Sequence, residues 1–122
     1  MNDNIIKEME CAGIDVDGAV RRFSGNESMY TKFLLRFCDD DNFNQVGKAV
    51  EADDVDTMLS AAHTLKGVAG NLGMNRLFEV CSDMVNKIRG GNPEAAKAVY
   101  PALEESYDQV REVLAKLAEE GR

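Results

Sequence analysis

The sequence contains no tryptophan, only two prolines and a single histidine, His63. It also lacks a long apolar run, because none approaches the roughly 18 to 20 residues that a membrane-spanning helix needs. The first residues, MNDNIIKEME, do not have the basic and then apolar order of a signal peptide. We therefore expect a cytoplasmic protein that makes no contact with a membrane.

Basic residues are scarce relative to acidic ones. The chain has 14 lysines and arginines against 22 aspartates and glutamates, which gives a formal net charge of -8 at pH 7. Binding to nucleic acid or to an anionic membrane surface depends on clustered lysine and arginine side chains that contact phosphate groups. The composition therefore argues against nucleic acid as a partner and favours protein partners.

Cysteine is also rare, and its spacing indicates neither a disulfide framework nor a zinc site. The chain has an odd number of cysteines, which are far apart in the sequence: Cys11, Cys38 and Cys81. No C-x-x-C pair is present. Cys38 and Cys81 fall among periodic apolar positions, where a thiol packs as a small hydrophobic group. A metal site built from His63 and these cysteines is not expected, so we predict no metal and no cofactor of the chain's own.

The apolar residues recur at intervals of three and four rather than two, which is typical of amphipathic helices. A chain of 122 residues, 44% of them hydrophobic, is long enough for one domain with a core. Short connections between the helices should make neighbours antiparallel. We therefore predict an all-α, up-and-down antiparallel four-helix bundle with a short additional N-terminal helix. It should form one domain over residues 1–122, with its core at about residues 15–118.

Capping residues mark both ends of the helix that contains His63. Either Asp53 or Asp54 can cap its N-terminus, since an aspartate side chain accepts hydrogen bonds from the first free amides of a helix. Gly73 is placed to end this helix. An earlier helix has its own start signal, because the stretch 24–27, SGNE, resembles a capping box.

The last helix has a start signal and a breaker. Asn92 as cap and Pro93 at the first helical position open it, whereas Pro101 lies inside it and should kink or interrupt it. Two other apolar stripes are expected to face the core. The first contains Met29, Tyr30, Phe33, Leu34 and Phe37, and the second contains Met74, Leu77, Phe78, Cys81, Met84, Val85 and Ile88.

The stretch AAHTLKGVAGNLG, residues 61–73, places His63 near three glycines in a helix. At about 100° per residue, the apolar stripe of this helix marks the core direction, and His63 projects roughly 120° from its centre. The imidazole should therefore be at least partly exposed. Each glycine inside a helix costs about 1 kcal/mol relative to alanine, so Gly67 and Gly70 need a reason. Without Cβ atoms, these two positions should leave room beside His63 for a bulky group or another protein.

Lys66 lies on the same flank of the helix as His63 and supplies a mobile cation. A neutral imidazole is a competent nucleophile. An exposed nucleophile with an adjacent cation and cleared space suits the covalent acceptance of an anionic group. A phosphoryl group is the natural candidate, because its transfer depends mostly on alignment and charge neutralisation.

The same residues resemble a known family. His63, Leu65, Lys66 and Gly67, followed by Gly73, are similar to the H-x-L-K-G…G signature of histidine-containing phosphotransfer (HPt) domains, the modules of bacterial and eukaryotic phosphorelays. The helix order, an acidic run after the first long helix and the interrupted last helix extend the resemblance. It implies the HPt bundle and phosphorylation of His63 on Nε2, with Lys66 beside the phosphoryl group and room for that group at Gly67.

The resemblance also implies a carrier rather than an enzyme. The phosphoryl donor or acceptor would be the aspartate of a response-regulator receiver domain, whose Mg²⁺ belongs to that partner. A hybrid sensor histidine kinase is a further candidate partner. The length leaves no room for the ATP-binding domain of a kinase. We expect the carrier to be a monomer.

A receiver domain must exclude water from the transfer site, so it should dock on the surface near His63. On the helix of His63 the candidate docking residues are Leu59, Ser60 and Gly70. On the first long helix they are Tyr30 and Leu34.

Two other interpretations remain open. The chain could be a helical adaptor that docks a signalling partner without phosphotransfer, in which case His63 has no chemical role. A four-helix metal or cofactor protein would need several inward-facing His, Glu or Met ligands, and the only histidine is expected to face outward.

Overall fold

The computed structural model describes residues 1–120, which form eight helices and no β-strand. The predicted all-α class is therefore confirmed. The helices are, in chain order, α1 (Asp3–Cys11), α2 (Val16–Arg22), α3 (Glu27–Phe37), α4 (Asn42–Ala52), α5 (Val55–Asn71), α6 (Asn75–Arg89), α7 (Pro93–Ala98) and α8 (Tyr100–Glu120). A single domain over residues 1–122 stays a prediction, and residues 121–122 lie outside the described part of the chain.

The bundle is formed by α4, α5, α6 and α8. Helix α5 packs along both α4 and α6, and α8 contacts α4 and α6 in turn. The connections at residues 53–54 and 72–74 are short, so these successive helices are antiparallel. Phe43 of α4 and Tyr107 of α8 stack with their ring centroids 4.0 Å apart. These contacts confirm the predicted helical bundle.

Two short helices precede α3, where the sequence pattern predicts one. Helix α1 packs against α8, and its core contacts come from two buried side chains, Ile5 and Met9. Two buried positions in a polar segment are too few to define a helical period, so the pattern does not reveal α1. Helix α2 is the predicted one, and it buries Val16 and Ala19.

Helix α5 begins at the second of the two candidate caps. The Oδ2 atom of Asp54 accepts a hydrogen bond from the Thr57 hydroxyl at 2.7 Å, and Oδ1 accepts one from the Thr57 amide at 3.1 Å. Both bonds lower the pKa of the Asp54 carboxyl. Asp53 instead ends α4 in a left-handed conformation, with φ of 53°.

The N-cap of α3 differs from the predicted capping box. Asn26 is the cap, because its Oδ1 accepts a hydrogen bond from the Met29 amide at 3.0 Å. Ser24 lies two residues earlier with φ of 57°, in a left-handed turn rather than at the start of the helix. Ser24, the serine of the expected box, therefore lies two residues too early to cap α3.

The interruption predicted from Pro101 is confirmed. Helix α7 ends at Ala98 and α8 begins at Tyr100. Pro101 consequently occupies the first turn of α8, where a missing amide hydrogen breaks no helical hydrogen bond. Asn92 caps α7 as expected, since its side chain accepts a hydrogen bond from the Ala95 amide at 3.1 Å.

Gly73 has a conformation and an environment that only glycine fits. Its φ is 74°, and a Cβ there would lie 2.7 Å from the Asp15 carbonyl oxygen. Gly91 also has a positive φ, 82°, but a Cβ there would meet no atom within 4 Å.

We predict that Gly73→Ala lowers the free energy of unfolding by about 2 to 4 kcal/mol, because backbone strain and a clash with a backbone oxygen add. The matched control Gly91→Ala carries only the strain, about 1 kcal/mol. Urea unfolding of both variants measures the difference. Equal losses for the two variants would contradict the close packing of Gly73 against Asp15.

Candidate functional site

The histidine side chain lies on the solvent side of α5. The opposite side of this helix faces the core, and its buried side chains are Met58, Ala61, Ala62, Leu65 and Ala69. His63 is exposed, and so is Gly67 one turn later. No hydrogen bond from residues 1–120 engages the imidazole. The expected exposure of His63 is therefore confirmed, and its ring is open to a partner.

Gly67 provides open space beside His63. Apart from its own helix backbone, no atom lies within 4 Å of the point where a Cβ would stand. Because residues i and i+4 are neighbours on one face of a helix, this gap adjoins the imidazole. The prediction of clearance holds for Gly67.

Gly70 differs from the prediction that it leaves free space. A Cβ at this position would lie 3.1 Å from Cδ2 and 3.3 Å from Cε2 of Phe78. The aromatic ring, which belongs to α6, occupies the place of the missing side chain. The carbonyl oxygen of Gly70 also accepts a hydrogen bond from Arg22 Nη2 at 3.0 Å.

Lys66, on the same flank of α5 as His63, contacts this aromatic ring. Its side chain is half-buried, and its Nζ atom is 5.6 Å from the centroid of the Phe78 ring. This distance is within the range of a cation–π contact. Among residues 1–120, no carboxylate forms an ion pair with Lys66. The ammonium group therefore lies on the side of α5 that faces α6, against an uncharged ring.

A groove of about 560 Å³ opens on the other side of α5, towards α3. Thr64 and Gly67 form its edge nearest the histidine, and Phe33 lies opposite them. The guanidinium of Arg36 covers the Phe33 ring, with its Cζ 5.3 Å from the ring centroid. The other lining residues are Phe37, Asp39, Asp40, Val68, Asn71 and Leu72.

The docking candidates on α5 are only partly available. Ser60 is exposed, and Leu59 is partly buried and packs against the core. Gly70 is half-buried beneath the Phe78 ring. Their role in docking stays a prediction.

The two docking candidates on α3 are wrong. Tyr30 and Leu34 are fully buried, because α3 turns this face towards α8 and the end of α5. The Tyr30 hydroxyl donates a hydrogen bond to the Leu72 carbonyl oxygen at 2.7 Å, and burial raises the pKa of the phenol. Tyr30 therefore holds the end of α5 in place and has no surface for a partner.

Three large apolar residues that the sequence assigns to core stripes are instead at the surface. Met29 is 46% exposed, Phe33 37% and Phe78 36%. At about 100° per residue, Phe33 and Phe78 lie roughly 65° to 70° from the centres of their buried stripes, which is a signal for the stripe edge. The sequence alone does not show that both edges adjoin the helix of His63, because helix packing decides this.

The cysteines are not arranged for metal binding. Cys81 is buried, which raises the pKa of its thiol to about 12, whereas Cys38 is half-buried and Cys11 is exposed. Within residues 1–120, no three His, Cys, Asp or Glu side chains are grouped so that they could hold a metal ion.

In the same part of the chain, no helix combines the length and apolar character needed to cross a bilayer.

A comparison with protein-family models finds a match. The sequence model described as the Hpt domain matches residues 34–113, about two thirds of the chain. The matched segment begins inside α3, ends inside α8 and includes the whole of α5 and α6. Neither a curated protein nor a solved structure matches this chain.

We predict that Tyr30→Phe lowers the free energy of unfolding by about 1 to 2 kcal/mol, because the buried Leu72 carbonyl loses its hydrogen bond. Chemical denaturation measures this loss. The variant should bind partners as the wild type does, since the Tyr30 side chain has no exposed surface. Weakened partner binding by a variant that is fully folded would restore Tyr30 as a docking residue.

Proposed function

The chain belongs to the Hpt domain family, and on this premise we propose that His63 is its phosphoacceptor. His63 would accept a phosphoryl group from the aspartate of a response-regulator receiver domain and would also return it. Hpt domains are phosphorelay carriers of two-component signalling rather than kinases, and they interact with receiver domains. The observation that carries the proposal is the exposed His63 imidazole beside open space at Gly67.

The proposed step is a direct transfer between two side chains. The Nε2 lone pair of a neutral imidazole attacks phosphorus, so an N–P bond forms. The bond between phosphorus and the aspartyl oxygen breaks, and its electron pair stays on the carboxylate of the receiver. The reverse step returns the group to an aspartate. No other co-reactant is required.

The charges around His63 suit an anionic group. The Lys66 ammonium lies on the same flank of α5, and no carboxylate in the described part of the chain neutralises it. A phosphoryl group in transfer is stabilised mainly by alignment and by positive charge around its oxygens. We therefore propose that Lys66 contributes part of this charge.

The remaining charge compensation is assigned to the partner. Mg²⁺ bound by the carboxylates of the receiver would neutralise phosphoryl oxygens. The described residues of this chain group no carboxylates that could hold such an ion near His63. The chain accordingly acts as a substrate of its partner's chemistry.

We predict that the wild type takes label from ³²P-phosphorylated receiver domains in the presence of Mg²⁺, and that His63→Gln takes none. The label should be acid-labile and alkali-stable, as expected for phosphohistidine. Binding to the same receivers is measured in parallel, because an adaptor would bind without taking label. Binding with no transfer across a panel of receivers would overturn the proposal and support the adaptor interpretation.

We predict opposite effects of Gly67→Ala on stability and on transfer. A Cβ at Gly67 meets no neighbour, so the higher helix propensity of alanine should stabilise the fold by up to about 1 kcal/mol. The same Cβ enters the space beside the imidazole and should slow transfer by about ten- to hundred-fold.

Thermal unfolding and single-turnover labelling of Gly67→Ala measure the two effects. Gly91→Ala, in a turn outside α5 and also open to solvent, is the matched control and should transfer at the wild-type rate. An unchanged rate in folded Gly67→Ala would show that the open space serves no purpose in transfer.

A further inference from the structure

Phe78 is an aromatic residue that the carrier chemistry described so far does not use. It lies on α6, is 36% exposed, and contacts the His63 helix at two points. One edge of its ring faces the Gly70 backbone, where a Cβ would lie 3.1 Å from Cδ2. The Nζ atom of Lys66 lies 5.6 Å from the ring centroid. The ring therefore contacts both the backbone of α5 at Gly70 and the side chain of Lys66.

The position of the Phe78 ring depends on the absence of a side chain at Gly70. Contacts of 3.1 and 3.3 Å to an added Cβ would force the ring to move by a few tenths of an ångström. Gly70 thus allows Phe78 to lie close against α5, one turn beyond Lys66. This contact accounts for a helix-interior glycine that open space does not explain.

An aromatic ring and a carboxylate would affect Lys66 differently. A carboxylate would also fix the ammonium, but it would neutralise the charge and repel an approaching phosphoryl group. A ring attracts the ammonium through its quadrupole and carries no net charge. The lysine stem has four rotatable bonds, so a contact that restricts the ammonium reduces the freedom lost during transfer.

We propose that Phe78 is a positioning residue for phosphotransfer, holding the Lys66 ammonium beside the phosphoryl group on His63 through a cation–π contact. The inference rests on the proposed role of His63. Phe78 itself touches neither the phosphoryl group nor the reacting nitrogen. Its effect on the reaction acts through Lys66.

The test separates positioning from docking. Single-turnover transfer from a phosphorylated receiver is measured over a range of receiver concentrations, which gives a maximum rate and a half-saturating concentration. A positioning residue affects the maximum rate, whereas a docking contact affects the half-saturating concentration. Phe78 is partly exposed, so its substitution should leave the fold intact, and circular dichroism verifies this.

We expect Phe78→Leu to lower the maximum rate by about two- to five-fold, the size of a cation–π contact at a partly exposed site. Phe78→Tyr keeps the ring and should retain the wild-type rate. In a Lys66→Ala background, Phe78→Leu should have no additional effect, because the cation that it positions is absent.

Three results would overturn the inference. The first is a wild-type maximum rate in Phe78→Leu, and the second is an increase only in its half-saturating concentration. The third is an equal loss in the presence and absence of Lys66. A wild-type protein that takes no label from any receiver would instead overturn the proposed function, and the role of Phe78 with it.

Discussion

Burial of the core face of α5 is the interaction on which the other features of the site depend. Small alanine side chains, at Ala61, Ala62 and Ala69, let α4 and α6 pack closely against both flanks of this helix. Because tertiary packing stabilises α5, its opposite face can contain glycines that an isolated helix would not tolerate. The exposed face is consequently free to serve chemistry, with an imidazole and a gap at Gly67 rather than packed side chains.

Sequence periodicity predicts α5 and its outward-facing histidine well, because the pattern, the Asp54 cap and Gly73 all indicate the same helix. It fails where a second helix decides the outcome. Tyr30 and Phe33 lie on one short helix, and only the packing of α3 buries the first and exposes the second. Likewise, nothing in the sequence indicates that Gly70 contacts Phe78, because that contact depends on the register between α5 and α6.

The two flanks of the histidine differ chemically. Towards α6, a lysine and an aromatic ring lie close to the helix backbone. Towards α3, a groove combines the Phe33 ring and the Arg36 guanidinium with two aspartates, Asp39 and Asp40. The lining of this groove therefore contains one cation and two carboxylates, whereas the contact on the α6 side contains only the cation of Lys66.

The turn that follows α5 is held by hydrogen bonds from a part of the chain that lies before the matched family segment. The carbonyl oxygens of Gly70, Leu72 and Gly73 accept hydrogen bonds from Arg22, Tyr30 and Asp15, in that order. All three donors precede residue 34, where the family match begins. A fragment trimmed to residues 34–113 would leave these carbonyls without their donors. The support of the histidine helix thus extends beyond the segment that the family pattern recognises, to α2 with its cap Asp15 and to the start of α3.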